Sequence, residues 1–255
     1  MPTDCARVRF LDIQFDALTQ EELLKQLDVS EADQPFRYLV TPNVDHMVRL
    51  EAAEDERVRG AYAESAWCVC DSRILARIAA LCGVMLPVVP GSDLTAALFE
   101  RILRVGDQVS VVGGDEAMVA GLRTLRPDVG FVHHEPPMGL IDKPDAMARA
   151  AEFIVTSNAR FHLLAIGSPQ QELLARQVVS LEAARGTALC IGAALHFITG
   201  VKQRAPLYLQ RAGLEWAFRL ASEPRRMWRR YLVDGPKIFF IARRWARSRP
   251  RKVHP

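Results

Sequence analysis

Short, fully apolar runs recur along this chain, each followed by a polar turn and then by helical periodicity. "RYLVTPNVDHMVRLEAA" reads as strand, turn and helix, and "AWCVCDSRILARIAALCG" repeats the plan. "DQVSVVGGDEAMVAGLRTLRP" does so again, "DVGFVHHEPPMGL" runs from a strand into a Pro-rich loop, and "RFHLLAIGSPQQELLARQVV" and "TALCIGAALHFITG" supply two more strands. Strands that are apolar on both faces must be covered on both faces. Strand–helix alternation of this kind therefore predicts an α/β, Rossmann-like, largely parallel sheet with helices on either side. In such sheets ligands bind beyond the carboxyl ends of the strands. The polar residues at those ends are Thr41, Asn43 and Asp45; Asp71 and Ser72; Gly113 to Asp115; His133 to Glu135; Ser168 to Glu172; and Gly192.

The plan changes after Gly200. Residues 201–255 carry 15 Lys+Arg against 3 Asp+Glu, whereas residues 1–200 carry 18 against 27. An acidic body with a strongly basic tail implies an anionic partner for the tail. The division expected is a catalytic domain over 1–200 and a basic helical appendage over 201–255. The five scattered cysteines form no CxxC pair and no zinc spacing, which fits thiols in a reducing compartment. "MPTDCARVRFLDIQFD" lacks the apolar core of a signal peptide, and no run approaches the roughly 20 apolar residues of a spanning helix. The expectation is a cytoplasmic protein whose contact with a membrane is peripheral.

Each polar strand end has two readings. "SVVGGDEA" suits a phosphate at a helix N-terminus or a plain tight turn, and without GxGxxG it does not point to NAD. His133 and His134 point to opposite faces of a strand and cannot easily share one ion, so no metal site is expected. Asp71 is either a helix cap or a general base whose pKa burial raises. Thr41 and Asn43 are turn formers or substrate hydrogen-bonders. In "IGSPQQE", Gln171 and Glu172 fall in a first helical turn, expected to face the cleft, where they suit sugar hydroxyls or the helix dipole. Arg225, Arg226, Arg229 and Arg230 follow Pro224 at helical spacing and suit a diphosphate. Beyond them, "PKIFFIARRWARSRPRK" mixes Phe239, Phe240, Ile241 and Trp245 with cations, the composition of an anchor on anionic lipid. Trp216, Trp228 and Trp245 could instead stack on bases of a nucleic acid, the remote alternative. Exposed Phe and Trp in the tail also invite self-burial in a homo-oligomer.

Taken in order, Thr41-x-Asn43, Asp71 ending the next strand, "PGSDL", "GxPxQE", "G…RAP" and "GLEWxxRLxxEPRRxxRRY" resemble the WecG/TagA/CpsF glycosyltransferases from about residue 10 to residue 235. The last stretch is the most specific. The resemblance implies inverting transfer from a UDP-sugar to a polyprenyl-diphosphate-linked sugar at the cytoplasmic membrane face, without a metal or other cofactor. It makes Asp71 the base that deprotonates the acceptor hydroxyl. It places Thr41, Asn43, Gln171, Glu172, Gly113 and Gly192 around the substrates, with Arg204, Arg219, Arg226 and Arg229 on diphosphate. Phe239, Phe240, Arg243, Arg244 and Trp245 then face the membrane. No nucleic-acid partner is implied.

Four positions depart from the family pattern: Val88 replaces the usual Arg, Gln170 the Lys before "QE", Leu195-His196 the Phe-Asp, and Ser72 a common Gly. They fall around the expected donor pocket and argue against N-acetylmannosamine. The reading taken is β-1,4-glucosyl transfer in exopolysaccharide synthesis, with N-acetylmannosaminyl or glucuronosyl transfer as alternatives.

Overall fold

The computed structural model describes residues 7–52 and 55–248. Six strands form one parallel sheet: β3 (Arg37–Val40), β4 (Trp67–Cys68), β5 (Gln108–Val112), β6 (Gly130–His134), β7 (Phe161–Leu164) and β8 (Thr187–Cys190), in the order β4-β3-β8-β7-β5-β6. The chain leaves β3 toward one edge and β5 toward the other, so a crevice opens above the central strands. Both faces are buried. Tyr38 and Val40 of β3 enter one apolar cluster, while Leu39 between them enters the other, with Val109 and Val111 of β5. This alternation explains why the strands read as continuous apolar runs.

A feature absent from the sequence reading precedes the sheet. Strands β1 (Arg7–Phe10) and β2 (Ile13–Asp16) form an antiparallel hairpin. Leu11 and Asp12 at its turn have φ of 50° and 61°. The buried Asp16 carboxylate ties the hairpin down, accepting from Arg7 Nε at 3.1 Å and from the Cys68 amide at 2.7 Å.

At the amino end of the sheet, opposite the crevice, Arg160 is only 3% exposed. Its guanidinium donates to the carbonyls of Ser30, Ile102 and Asp28 at 2.7, 3.0 and 2.8 Å and pairs with Asp107 at 2.7 Å. One side chain thereby ties together the segment after helix Gln20–Asp28 and the one between Ile102 and Gln108.

The basic tail is a run of helices laid against this body: Leu207–Ala212, Glu215–Ser222, Pro224–Trp228, a wider-wound segment Arg229–Asp234, and Lys237–Ser248. Met227, Ile238 and Ala242 are buried, and Trp245 packs edge-to-face on Phe10 with ring centroids 5.1 Å apart. Ile238, Ala242 and Trp245 lie at i, i+4 and i+7, one face of a helix. Trp245 therefore belongs to the packed face, which corrects its expected place on a membrane-facing one. Arg244 likewise turns back to Glu51, whereas Phe239 and Phe240 are 57% and 75% exposed and Arg243 is exposed. No helix among the described residues is long and apolar enough to cross a membrane. Cys5 and the basic residues after Ser248 lie outside the described residues.

Candidate active site

The apolar strand run ends at Asp71, whose amide bonds to the Pro42 carbonyl at 3.1 Å. The next helix, Arg73–Leu81, is capped by Ser72, whose hydroxyl accepts from the Leu75 amide at 3.2 Å. The cap is thus filled and the Asp71 carboxylate is left to the crevice. Its Oδ1 accepts from the Gly91 amide at 2.6 Å and its Oδ2 from Asn43 Nδ2 at 3.3 Å. Burial pushes the Asp71 pKa from 3.8 up to about 6, against the opposing pull of the Gly91 amide, Arg219 and Asn43; Glu215 adds to the rise. A carboxylate near this value is ionised at neutral pH and basic enough to take a proton.

Asn43 forms the turn and holds Asp71 as well. Its Oδ1 accepts from the Asp45 and His46 amides at 3.1 and 3.4 Å, capping the helix Val44–Ala52, while its amide nitrogen holds Asp71. Thr41 is buried, with its hydroxyl donating to the Cys190 carbonyl at 3.3 Å. Gly91 allows the close approach, since a Cβ there would stand 3.2 Å from Thr41 Oγ1 and 3.6 Å from Asp71 Oδ1. The glycine of "PGSDL" thus sets its amide on the Asp71 carboxylate.

Asp71 sits where two cavities meet. The larger, about 1050 Å³, spreads over the strand ends and is lined by Thr41, Asn43, Gly113, Gly114, Gly192 and Gln170, among others. The helix after Gly114 is capped by Asp115, whose Oδ1 accepts from the Met118 amide at 2.8 Å. The glycines there consequently shape the wall: φ is +94° at Gly113, and a Cβ would meet Ile166 at 2.6 Å. His46 and His196 also line the cavity; burial pushes the His46 pKa down to about 3, and burial with Lys202 lowers that of His196.

Gln171 and Glu172 do not face the crevice. They are 2% and 0% exposed, beneath its floor. Pro169 is the N-cap of helix Gln170–Val179, whose first turn puts both under the sheet ends and leaves Gln170 in the cavity. The Gly192 amide donates to Gln171 Oε1 at 3.1 Å, and Gln171 Nε2 donates to Glu172 Oε1 at 2.9 Å. Burial pushes the Glu172 pKa up, and its Oε2 has no hydrogen-bond partner. The Gln171–Glu172 pair holds up the floor of the crevice. Glu172→Gln is expected to keep both the melting temperature and UDP affinity of the parent. Glu172→Ala, which strands the Gln171 amide beside a void, should lose about 2–4 kcal/mol of stability; calorimetry and thermal melts separate the two variants.

The tail supplies the cations. Arg219, Arg226, Arg230 and Lys202 line the larger cavity with Arg49. Arg219 pairs with Glu215 at 3.1 Å and lies over the Phe197 ring at 5.2 Å. Lys202 and Arg226 share Glu223 at 2.7 and 2.5 Å. Arg229, the expected diphosphate ligand, is exposed and lines neither cavity; Arg230 takes that place. The Arg229–Asp234 segment is wound with i→i+5 bonds, which shifts the phase of the residues after Trp228. Arg204 pairs with Asp93 and lines only the smaller cavity.

Among the departures, Gln170 and His196 line the larger cavity, and Ser72 caps the helix and lines the smaller. Val88 lies off both, bridged to Cys70 at the sheet edge. His133 and His134 diverge, toward Glu116 and the Phe153 ring. Among the described residues no group of three His, Cys, Asp or Glu is placed to hold a metal ion.

The Glycosyl transferase WecG/TagA/CpsF family matches residues 8–252. A carboxylate of raised pKa at the strand ends, glycine-shaped walls and a guanidinium-rich rim form a site suited to glycosyl transfer, and the match spans body and tail alike. The chain belongs to the WecG/TagA/CpsF family of glycosyltransferases, which serve cell-envelope polysaccharide synthesis.

Proposed function

We propose that this glycosyltransferase moves a sugar from a UDP-sugar to a polyprenyl-diphosphate-linked sugar, with inversion, using Asp71 as its one base. The observation that carries this reading is the raised pKa of Asp71 at the junction of two cavities. Asp45 lines both cavities too, but its carboxylate is paired with Arg49 and with Arg230 at 3.4 Å. In the step, the acceptor oxygen attacks the anomeric carbon and its proton passes to Asp71. The bond from that carbon to the UDP oxygen breaks, and UDP leaves with the electron pair. A single displacement inverts the centre. The charge gathering on the leaving diphosphate is met by Arg219, Arg226, Arg230 and Lys202, so the reaction is expected to proceed without a metal.

In this reading the residues from 201 onward are an appendage that completes the site, and the exposed Phe239, Phe240 and Arg243 rest on anionic lipid at the inner membrane face. The preferred donor is UDP-glucose. The deciding experiment measures UDP release with UDP-glucose, UDP-N-acetylmannosamine and UDP-glucuronic acid, in chelator, with farnesyl-diphosphate-linked glucose or N-acetylglucosamine. Acceptor-dependent release with one donor supports the reading and names the sugar. Release that is absent with every donor, or that requires an added divalent ion, counts against it.

A further inference from the structure

The smaller cavity, about 310 Å³, lies on the tail side of Asp71 and shares Asn43, Asp45, Asp71, Arg219 and Arg230 with the larger. Its size is at the low end for ligand pockets, room for one sugar ring and its substituent but not for a nucleoside diphosphate sugar. Its wall is different in kind. Trp216 and Tyr231 stand with ring centroids 6.1 Å apart at 56°, giving two apolar faces beside polar groups. Phe239 lines the cavity and is also 57% exposed, so the cavity opens past an apolar side chain on the surface expected to meet lipid.

Arg73 is the second observation. It is the first residue of the helix Arg73–Leu81, where the helix dipole opposes a cation, and it lines the smaller cavity. It is exposed, and no hydrogen bond or ion pair joins its side chain to another described residue, unlike Arg204, Arg219 and Arg230 in the same wall. An anion placed there would meet an uncommitted guanidinium.

Resting on the transferase reading above, we propose that the smaller cavity is the acceptor's seat: the terminal sugar lies against Trp216 and Tyr231, its diphosphate meets Arg73, and the first isoprene units leave past Phe239. Donor and acceptor then reach Asp71 from opposite sides, as an in-line displacement requires.

The test compares Trp216→Leu, Trp216→Phe and Arg73→Gln with the parent, using farnesyl-diphosphate-linked glucose and N-acetylglucosamine. Both acceptor KM and direct equilibrium binding of the acceptor are measured, alongside UDP affinity by calorimetry. Trp216→Leu and Arg73→Gln are each expected to weaken acceptor binding on the order of tenfold or more, with UDP affinity unchanged. Trp216→Phe should restore most of the loss. With a farnesyl glycoside that lacks diphosphate, Arg73→Gln should match the parent. Loss of UDP affinity with acceptor binding intact, or no change in either, overturns the proposal. A parent protein that binds the acceptor through Trp216 yet releases no UDP with any donor would sink the transferase reading and leave the seat standing.

Discussion

Asp71→Asn is expected to lower kcat by about 10²–10⁴-fold while UDP affinity stays within a few fold of the parent. The substitution keeps an acceptor for the Gly91 amide and removes only the proton sink. In the parent, log kcat/KM should rise with pH and level off near the Asp71 pKa of about 6. Stability should move the other way. Because the folded pKa lies above the ordinary 3.8, the folded protein holds more protons between the two values, and stability falls as pH rises from about 4 to 6. At pH 7.5 the parent carries a carboxylate penalty of about 2–3 kcal/mol that Asn lacks. Asp71→Asn should therefore melt higher than the parent at pH 7.5 and level with it near pH 4. A variant that is inactive but also less stable at pH 7.5 would mark Asp71 as a structural group.

The second large effect lies at the far end of the sheet. Arg160→Met should lose about 3–5 kcal/mol, because it leaves Asp107 and the carbonyls of Ser30, Ile102 and Asp28 without their shared donor. In a domain of this size that is a fall of roughly 6–20 °C in Tm. Activity per folded molecule should hold at temperatures well below the transition, since the residue stands at the amino ends of strands whose carboxyl ends carry the site. Urea titration, followed by assay of the refolded fraction, checks both statements. An intact Tm would mean that water satisfies those carbonyls unaided.

The six parallel strands were legible because each is a short apolar run closed by Gly, Pro or a polar turn, and the position of Asp71 followed from them. The β1–β2 hairpin was not, since Leu11 and Asp12 adopt positive φ without the Asn-Gly or Asp-Gly pair that usually announces such a turn. Motifs located Gln171, Glu172 and Arg229 along the chain but not around their helices. The first turn of the helix puts Gln171 and Glu172 beneath the crevice and leaves Gln170 in it. The widened winding at Arg229–Asp234 exchanged Arg229 for Arg230. Angular phase depends on hydrogen bonds that no motif spells out. Arg73 was illegible for a different reason: only the tail's position makes a cavity beside it.

The contact of Trp245 with Phe10 joins one of the first described side chains to one of the last. Arg219, Arg226 and Arg230 reach the crevice only when the helices between Glu215 and Ser248 are laid down, and the last of these helices rests on the hairpin. A nascent chain threaded from the ribosome up to residue 200 has the sheet, the base and the glycine walls, but not the rim of charge. With that rim acting on the leaving group as proposed, catalytic competence arrives late in synthesis, and until then the growing polypeptide can occupy its compartment without transferring a sugar.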